Sequence, residues 1–149
     1  MVHGSCVSLG GAGVLVMGKP GAGKTQICLD LCERAYARSI PFGFVSDDQT
    51  KLTKSPELSI LASCPARIEG RLEIRFFGVV DHREQASAEV PLKLVVRLAE
   101  VEDCDRFQKG NCIELGGISL PHLKLPKGQS TAAVRAIFAA LGYPILPHS

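Results

Sequence analysis

Residues 18–25 read Gly18-Lys19-Pro20-Gly21-Ala22-Gly23-Lys24-Thr25. Three glycines and a proline within eight positions exclude regular helix or strand and force a tight loop. The flanks narrow the fold further. Val14 to Met17 is a short apolar run of strand type. From Lys24 to Ala37 the apolar residues Ile27, Cys28, Leu31, Cys32 and Ala35 keep the 3-4-3 spacing of one buried helical stripe. A strand, a glycine loop and a helix in that order open an α/β domain.

The loop fits the pattern G-x-x-x-x-G-K-[ST], the P-loop motif. At ordinary residue frequencies a chain of this size carries such a match by chance roughly once in two hundred. Each position has a chemical reason. Gly18, Gly21, Ala22 and Gly23 let backbone N–H groups turn inward on phosphate oxygens. The helix beginning near Lys24 points its positive end at the same place. Lys24 reaches the β- and γ-phosphates, and the Thr25 hydroxyl holds Mg²⁺. The bland alternative is a glycine turn that only starts a helix.

Downstream, Phe42 to Val45 reads as a buried strand that ends in Ser46, Asp47 and Asp48. A buried strand closing on carboxylates suits the metal or base group of a P-loop protein. Adjacent side chains on extended backbone point to opposite faces, so the two aspartates would have different tasks. A solvated turn is the alternative. No N-K-x-D guanine reader occurs, so adenine is the default base. Glu73 and Arg75 alternate with Leu72 and Ile74, which puts both charges on one strand face, either in a site or in a cross-strand ion pair.

The rest of the chain completes a mixed α/β domain. Ser5 to Leu9 and Val14 to Met17 form an antiparallel hairpin around Gly10-Gly11-Ala12-Gly13. Leu58 to Ala62, Leu72 to Ile74, Leu92 to Leu98, Cys112 to Leu115 and Ile118 to Leu125 are strands, and Glu100 to Lys109 is an exposed loop. Ser130 caps a last helix with Val134, Ile137, Phe138 and Leu141 on its apolar face, and Gly142 stops it.

Composition bounds the function. With 149 residues the chain is one domain's worth, residues 1–149, and a formal net charge of +2 argues against holding nucleic acid by bulk charge. No run is long and apolar enough for a membrane helix. The six cysteines lack C-x-x-C spacing, and Cys28 and Cys32 suit one helix face. Reduced thiols and a cytoplasmic location are expected. His82, His122 and His148 have no ligand-like spacing.

His3-Gly4, Gly18 to Thr25, Asp47-Asp48 and Leu72-Glu73-Ile74-Arg75 together resemble the catalytic domain of the HPr kinase/phosphorylase family, from residue 2 to about 141. HPr is the histidine-containing phosphocarrier protein of the phosphotransferase system. The likeness is to a short form without the usual N-terminal domain. It implies a P-loop kinase domain with a mixed sheet and flanking helices, similar to phosphoenolpyruvate carboxykinase. It also implies an ATP- and Mg²⁺-dependent protein-serine kinase acting on HPr, in a family that forms hexamers. By the same resemblance Lys24 binds phosphate and Thr25 stands at the metal. Asp47 is the base, Asp48 its acidic neighbour, and Glu73 a second metal ligand. His3 belongs to the active site, and Arg106 is a catalytic arginine of a loop.

The departures from the family pattern carry expectations of their own. Phe76-Phe77 stands where a glycine usually follows L-E-[IV]-R. Lys127-Gly128-Gln129-Ser130 replaces a segment linked to dephosphorylation and lacks its arginine, which implies reduced or absent phosphorylase activity. Two further functions stay open on the residues: a P-loop ATPase or small-molecule kinase, and a nucleotide sensor that transfers nothing.

Overall fold

A computed structural model describes residues 1–66, 70–81 and 89–146. The element order is β1 (Val2–Leu9), β2 (Ala12–Met17), α1 (Lys24–Ala37), β3 (Phe42–Ser46), β4 (Gln49–Lys54), β5 (Ile60–Ser63), β6 (Arg71–Ile74), β7 (Gly78–Asp81), β8 (Glu89–Ala99), β9 (Cys112–Leu115), β10 (Ile118–Pro126) and α2 (Ser130–Ala140). The expected opening hairpin forms, with Leu9 paired to Ala12 and Gly4 to Met17.

Eight strands make one mixed sheet, and β6 and β7 form a separate hairpin. β1 pairs antiparallel with β2 on one edge. Its other edge carries β3 along Cys6 to Leu9 and β4 along Val2 and His3. The long strand β8 runs parallel to both β2 and β10, and its first residues pair antiparallel with β5. Since β5 also pairs with β4, the ladder closes on itself through β1, β2, β8, β5 and β4.

Alternation along the strands sorts two apolar layers. Val7, Leu9, Val14, Val16, Leu94, Val96 and Leu98 face the helices, where Ile27, Leu31, Val134, Ile137 and Phe138 meet them. Cys6, Leu15, Val45, Val90, Leu92 and Val95 face the opposite way, onto Ile60, Ala62 and Leu120 of the curled strands. Both helices therefore lie on one side of the sheet, and the α2 stripe is core.

Gly142 stops α2 as expected. It lies at φ 85°, and the N–H groups of Gly142 and Tyr143 donate back to the carbonyls of Ala139 and Phe138. That double bond pattern is a Schellman motif, and the Tyr143 ring packs on Phe138 at 5.5 Å between centroids. The start of α2 differs from expectation. Ser130 is the first helical residue, and Gln129 precedes it without a side-chain cap bond. The strand expected at Leu58 to Ala62 begins at Ile60, because Leu58 turns at φ 61°. β4 and β7 appear where no strand is expected from the sequence. No helix of the described residues is long and apolar enough to cross a membrane.

Candidate active site

The glycine loop joins the end of β2 to the start of α1. Two of its glycines are required for different reasons. A Cβ on Gly18 would stand 3.2 Å from the Cβ of Leu98 on β8, so close strand packing sets that position. Gly23 precedes the helix at φ 102°, a conformation that L side chains rarely adopt. The first turn of α1 has no side-chain cap and no acidic residue, so its N–H groups and positive end face the loop uncompensated.

Lys24 is a buried ammonium, only 7% exposed. It donates to the carbonyls of Gly18 at 3.0 Å and Lys19 at 3.3 Å, and stands 3.9 Å from a carboxylate oxygen of Asp48. A buried cation must be paired or hydrogen-bonded, and here the loop's own backbone does most of that. The Thr25 hydroxyl donates to Asp47 Oδ1 at 2.8 Å. The loop and the Asp47-Asp48 segment, 22 residues apart at this bond, are thus in direct contact.

Asp47 and Asp48 sit where β3 hands over to β4. Cys6 pairs with Ser46 and His3 with Gln49, so the register is the same on both sides and Ser5 stands opposite Asp47. Asp48 lies at φ 64°, and the Gln49 N–H donates to the Asp47 carbonyl across it at 2.7 Å. An i to i+2 bond around a residue of positive φ is a rare and strained turn. It sends the two side chains apart: Asp47 is half-buried against the loop, and Asp48 is exposed beside Lys24. Ser46 Oγ donates to the Gln49 carbonyl and braces the same reversal.

Glu73 joins this group. It lines an open hollow of about 330 Å³ together with Asp47, Asp48, Gln49, Arg71, Leu72 and Val79. His3 lies on β1 two residues before Ser5, on the same strand face, and is exposed. Arg106 lies elsewhere. It lines a second cavity of about 600 Å³ between the 104–111 loop, β10 and α2, with its guanidinium 5.9 Å from the Phe107 ring centroid. Gln108 ties that loop to β10 by bonds to the Lys124 N–H and carbonyl, both at 2.7 Å. His122 lies in the same wall, and its Nε2 has no partner among the described residues. Burial, with Arg97 and Lys124 nearby, pushes its imidazole below the ordinary value. His82 and His148 lie outside the described residues.

Ser5 belongs to none of the sequence motifs. Its hydroxyl donates to Asp47 Oδ1 at 2.9 Å and accepts from the Asp48 N–H at 2.9 Å, and the residue is fully buried. A serine opening an otherwise apolar strand run is the signal that marks it, because a buried hydroxyl needs polar partners.

The arrangement has a positive side, made by the helix start and Lys24, and a negative side, made by Asp47, Asp48 and Glu73. Such a pair of poles suits an anion on the loop and a cation at the carboxylates. Among the described residues no group of three His, Cys, Asp or Glu side chains forms a ready metal cage. Mg²⁺ usually takes one or two carboxylates together with substrate phosphates, so the donor set fits that ion.

A strand, a glycine loop and a helix, with carboxylates on the neighbouring strand, define a mixed α/β domain of the P-loop sequence class. Comparison with known proteins makes this specific. Residues 1–141 match the family described as the HPr serine kinase C-terminal domain, and the chain belongs to that family. It is 31% identical over 130 residues to the HPr kinase/phosphorylase of Bordetella pertussis (strain Tohama I), covering 84% of this chain and 39% of that protein. It is 31% identical over 149 residues to that of Chlorobaculum tepidum, covering 92% of this chain and 42% of the relative. The chain thus spans about two fifths of the length of these curated relatives. The HPr(Ser) kinase/phosphatase from Coxiella burnetii has the same fold, with a TM-score of 0.75, 19% identity, and coverage of 94% of this chain and 87% of that one.

Proposed function

We propose that this chain is an ATP- and Mg²⁺-dependent protein-serine kinase whose acceptor is the phosphocarrier protein HPr. Residues 1–149 then act as one catalytic domain, in the cytoplasm, free of nucleic acid and membrane and able to form a homo-oligomer. Family membership and the names of the relatives support the acceptor. The observation that carries the reading is the Thr25–Asp47 bond, which joins the phosphate-binding motif to the expected base.

The loop backbone of Gly18, Gly21, Ala22 and Gly23, with Lys24, would hold the nucleotide phosphates. Thr25, Asp48 and Glu73 would hold Mg²⁺. ATP with its metal supplies the transferable phosphoryl group and neutralises its charge. The protein's own work is positioning and proton handling. Lys24 leaves its two carbonyl acceptors for phosphate oxygens, trading neutral partners for charged ones. Asp47 has both of its hydrogen bonds on Oδ1, and Oδ2 accepts none from the described residues. Oδ2 is the oxygen that takes the serine proton. His3, on the same face of β1, orients the phosphate or Asp47. Arg106 adds positive charge only if the 104–111 loop leaves the bonds through Gln108. The segment Lys127-Gly128-Gln129-Ser130, with no arginine and with Lys127 paired to Glu100, supports reduced or absent phosphorylase activity.

The test is incubation of the chain with labelled ATP, Mg²⁺ and HPr, beside Lys24→Ala and Asp47→Asn. Serine-linked label that disappears in both variants is the expected result. ATP binding without transfer to HPr refutes the kinase reading, and ATP turnover without a protein acceptor points to an ATPase or a small-molecule kinase.

A further inference from the structure

We propose that Ser5 is a positioning residue of this site: one buried hydroxyl fixes the Asp47 carboxylate through Oδ1 and holds the strained Asp48 turn through the Asp48 N–H. The proposal rests on the kinase reading above, and it assigns a task to a residue outside the sequence motifs.

Three observations carry it. First, the hydroxyl of Ser5 donates its one proton to Asp47 and accepts from the Asp48 N–H, each at 2.9 Å, so it serves both aspartates. Second, Asp48 is a non-glycine residue at φ 64°, where its N–H cannot continue the β1 ladder in the regular way. An L-residue there costs roughly 1–2 kcal/mol, which the surroundings must offset. Ser5 supplies one such restraint at the Asp48 N–H, and Ser46 another at the Gln49 carbonyl. Third, the two donors on Asp47, Ser5 and Thr25, converge on the same oxygen. A carboxylate held by one oxygen from two directions has its plane fixed and presents the other oxygen in one place.

The division between the aspartates follows from this. Ser5 and Thr25 pull Asp47 inward, and the turn throws Asp48 outward toward Lys24. Without the Ser5 hydroxyl, Asp47 keeps only Thr25 as a restraint, and the Asp48 N–H loses its acceptor. The base then samples orientations away from the serine hydroxyl, and Asp48 loses one restraint on its turn, while the loop backbone and the bonds of Lys24 to Gly18 and Lys19 stay as they are. A displacement of about 1 Å at reacting groups costs about a hundred-fold in rate.

Ser5→Ala, Ser5→Cys and Ser5→Thr test this in the full chain with ATP, Mg²⁺ and HPr. Ser5→Ala is expected to lower kcat about 10- to 100-fold, with KM for HPr within about two-fold of the unaltered chain. Ser5→Thr, which keeps the hydroxyl, is expected to restore most of kcat. Ser5→Cys fills the space with a poor hydrogen-bond partner, so it covers the case in which alanine fails to fold. Reduced kcat at an unchanged melting temperature supports the proposal. A folded Ser5→Ala or Ser5→Cys with kcat within two-fold of the unaltered chain overturns it while leaving the kinase reading intact. No transfer by the unaltered chain overturns both.

Discussion

Replacing Lys24 by methionine removes the one buried ammonium of the loop and keeps its stem volume. In the nucleotide-free chain two effects oppose each other. The carbonyls of Gly18 and Lys19 lose donors at 3.0 and 3.3 Å, and a desolvated charge disappears with them. The melting temperature without nucleotide is therefore expected to stay within about 3 °C. With nucleotide the effects no longer cancel. A hydrogen bond to a charged group contributes about 1.5–3 kcal/mol, so losing it weakens ATP binding about 50-fold. At ATP·Mg²⁺ a hundred-fold above the dissociation constant, binding stabilises the unaltered chain by about 2.7 kcal/mol. The variant at the same concentration gains only about 0.7 kcal/mol. For a chain of this size 1 kcal/mol shifts the melting temperature by about 3 °C, so the shifts are about 8 °C and about 2 °C. Differential scanning fluorimetry with and without ATP·Mg²⁺ reads both numbers. A variant that keeps the full shift refutes Lys24 as a phosphate ligand. A variant that melts far lower without nucleotide shows the ammonium to be a strut of the loop.

Three other expectations follow from packing and burial. Phe138 is fully buried between Tyr143 and the guanidinium groups of Arg34 and Arg38, so Phe138→Ala costs about 3–5 kcal/mol in urea unfolding; a loss under 1 kcal/mol refutes its place in the core. Burial pushes the Cys6 and Cys32 thiols from 9.0 up to about 12. Above pH 9 they stay protonated in the folded chain while the unfolded chain ionises, so stability falls with rising pH by about 1.4 kcal/mol per unit and thiol, and a Cys6→Ala/Cys32→Ala variant must show a shallower fall between pH 9 and 11. Phe76 and Phe77 tip the β6–β7 hairpin at 103% and 78% exposure, so Phe76→Ser/Phe77→Ser is expected to leave the melting temperature within about 2 °C; a larger loss means the rings are packed.

The elements with a strong period were legible in the sequence. The α1 stripe, the opening hairpin, the strand before the aspartates and the glycine stop of α2 all rest on local chemistry that tertiary contacts reinforce. β4 was not legible, because Gln49–Lys54 is mostly polar and exposed, and its one fully buried side chain, Thr50, is held by donating to the Gly4 carbonyl. β7 escaped for a related reason: four residues with one half-buried valine give no period. Within the site, Lys24, Thr25, Asp47, Asp48 and Glu73 were identifiable by motif and stand together. Ser5 had no motif, since its role depends on which residue faces it across a ladder. Arg106 shows the converse: a residue named from the family resemblance lies beside a different cavity, because Gln108 fixes its loop to β10.

The register of β1 is what joins the two motifs. Its Gly4 pairs with Met17, the residue before the glycine loop, and its Cys6 pairs with Ser46, the residue before the aspartates. One strand therefore sets the distance between the phosphate-binding loop and the carboxylates. Alternation fixes which way it faces: Val7 and Leu9 go toward α1, and Cys6 goes into the opposite layer with Leu15 and Val45. A slip of one residue would exchange those faces and bury Val7 and Leu9 on the wrong side. It would also take the Ser5 hydroxyl away from Asp47 and set the backbone of Gly4 or the thiol of Cys6 in its place. The hydrophobic pattern that makes β1 a central strand is thus the same pattern that aims the one hydroxyl that, among the described residues, bonds both aspartates. Core packing and site geometry are one constraint here, and substitutions at Val7 or Leu9 that loosen the register must be felt at Asp47.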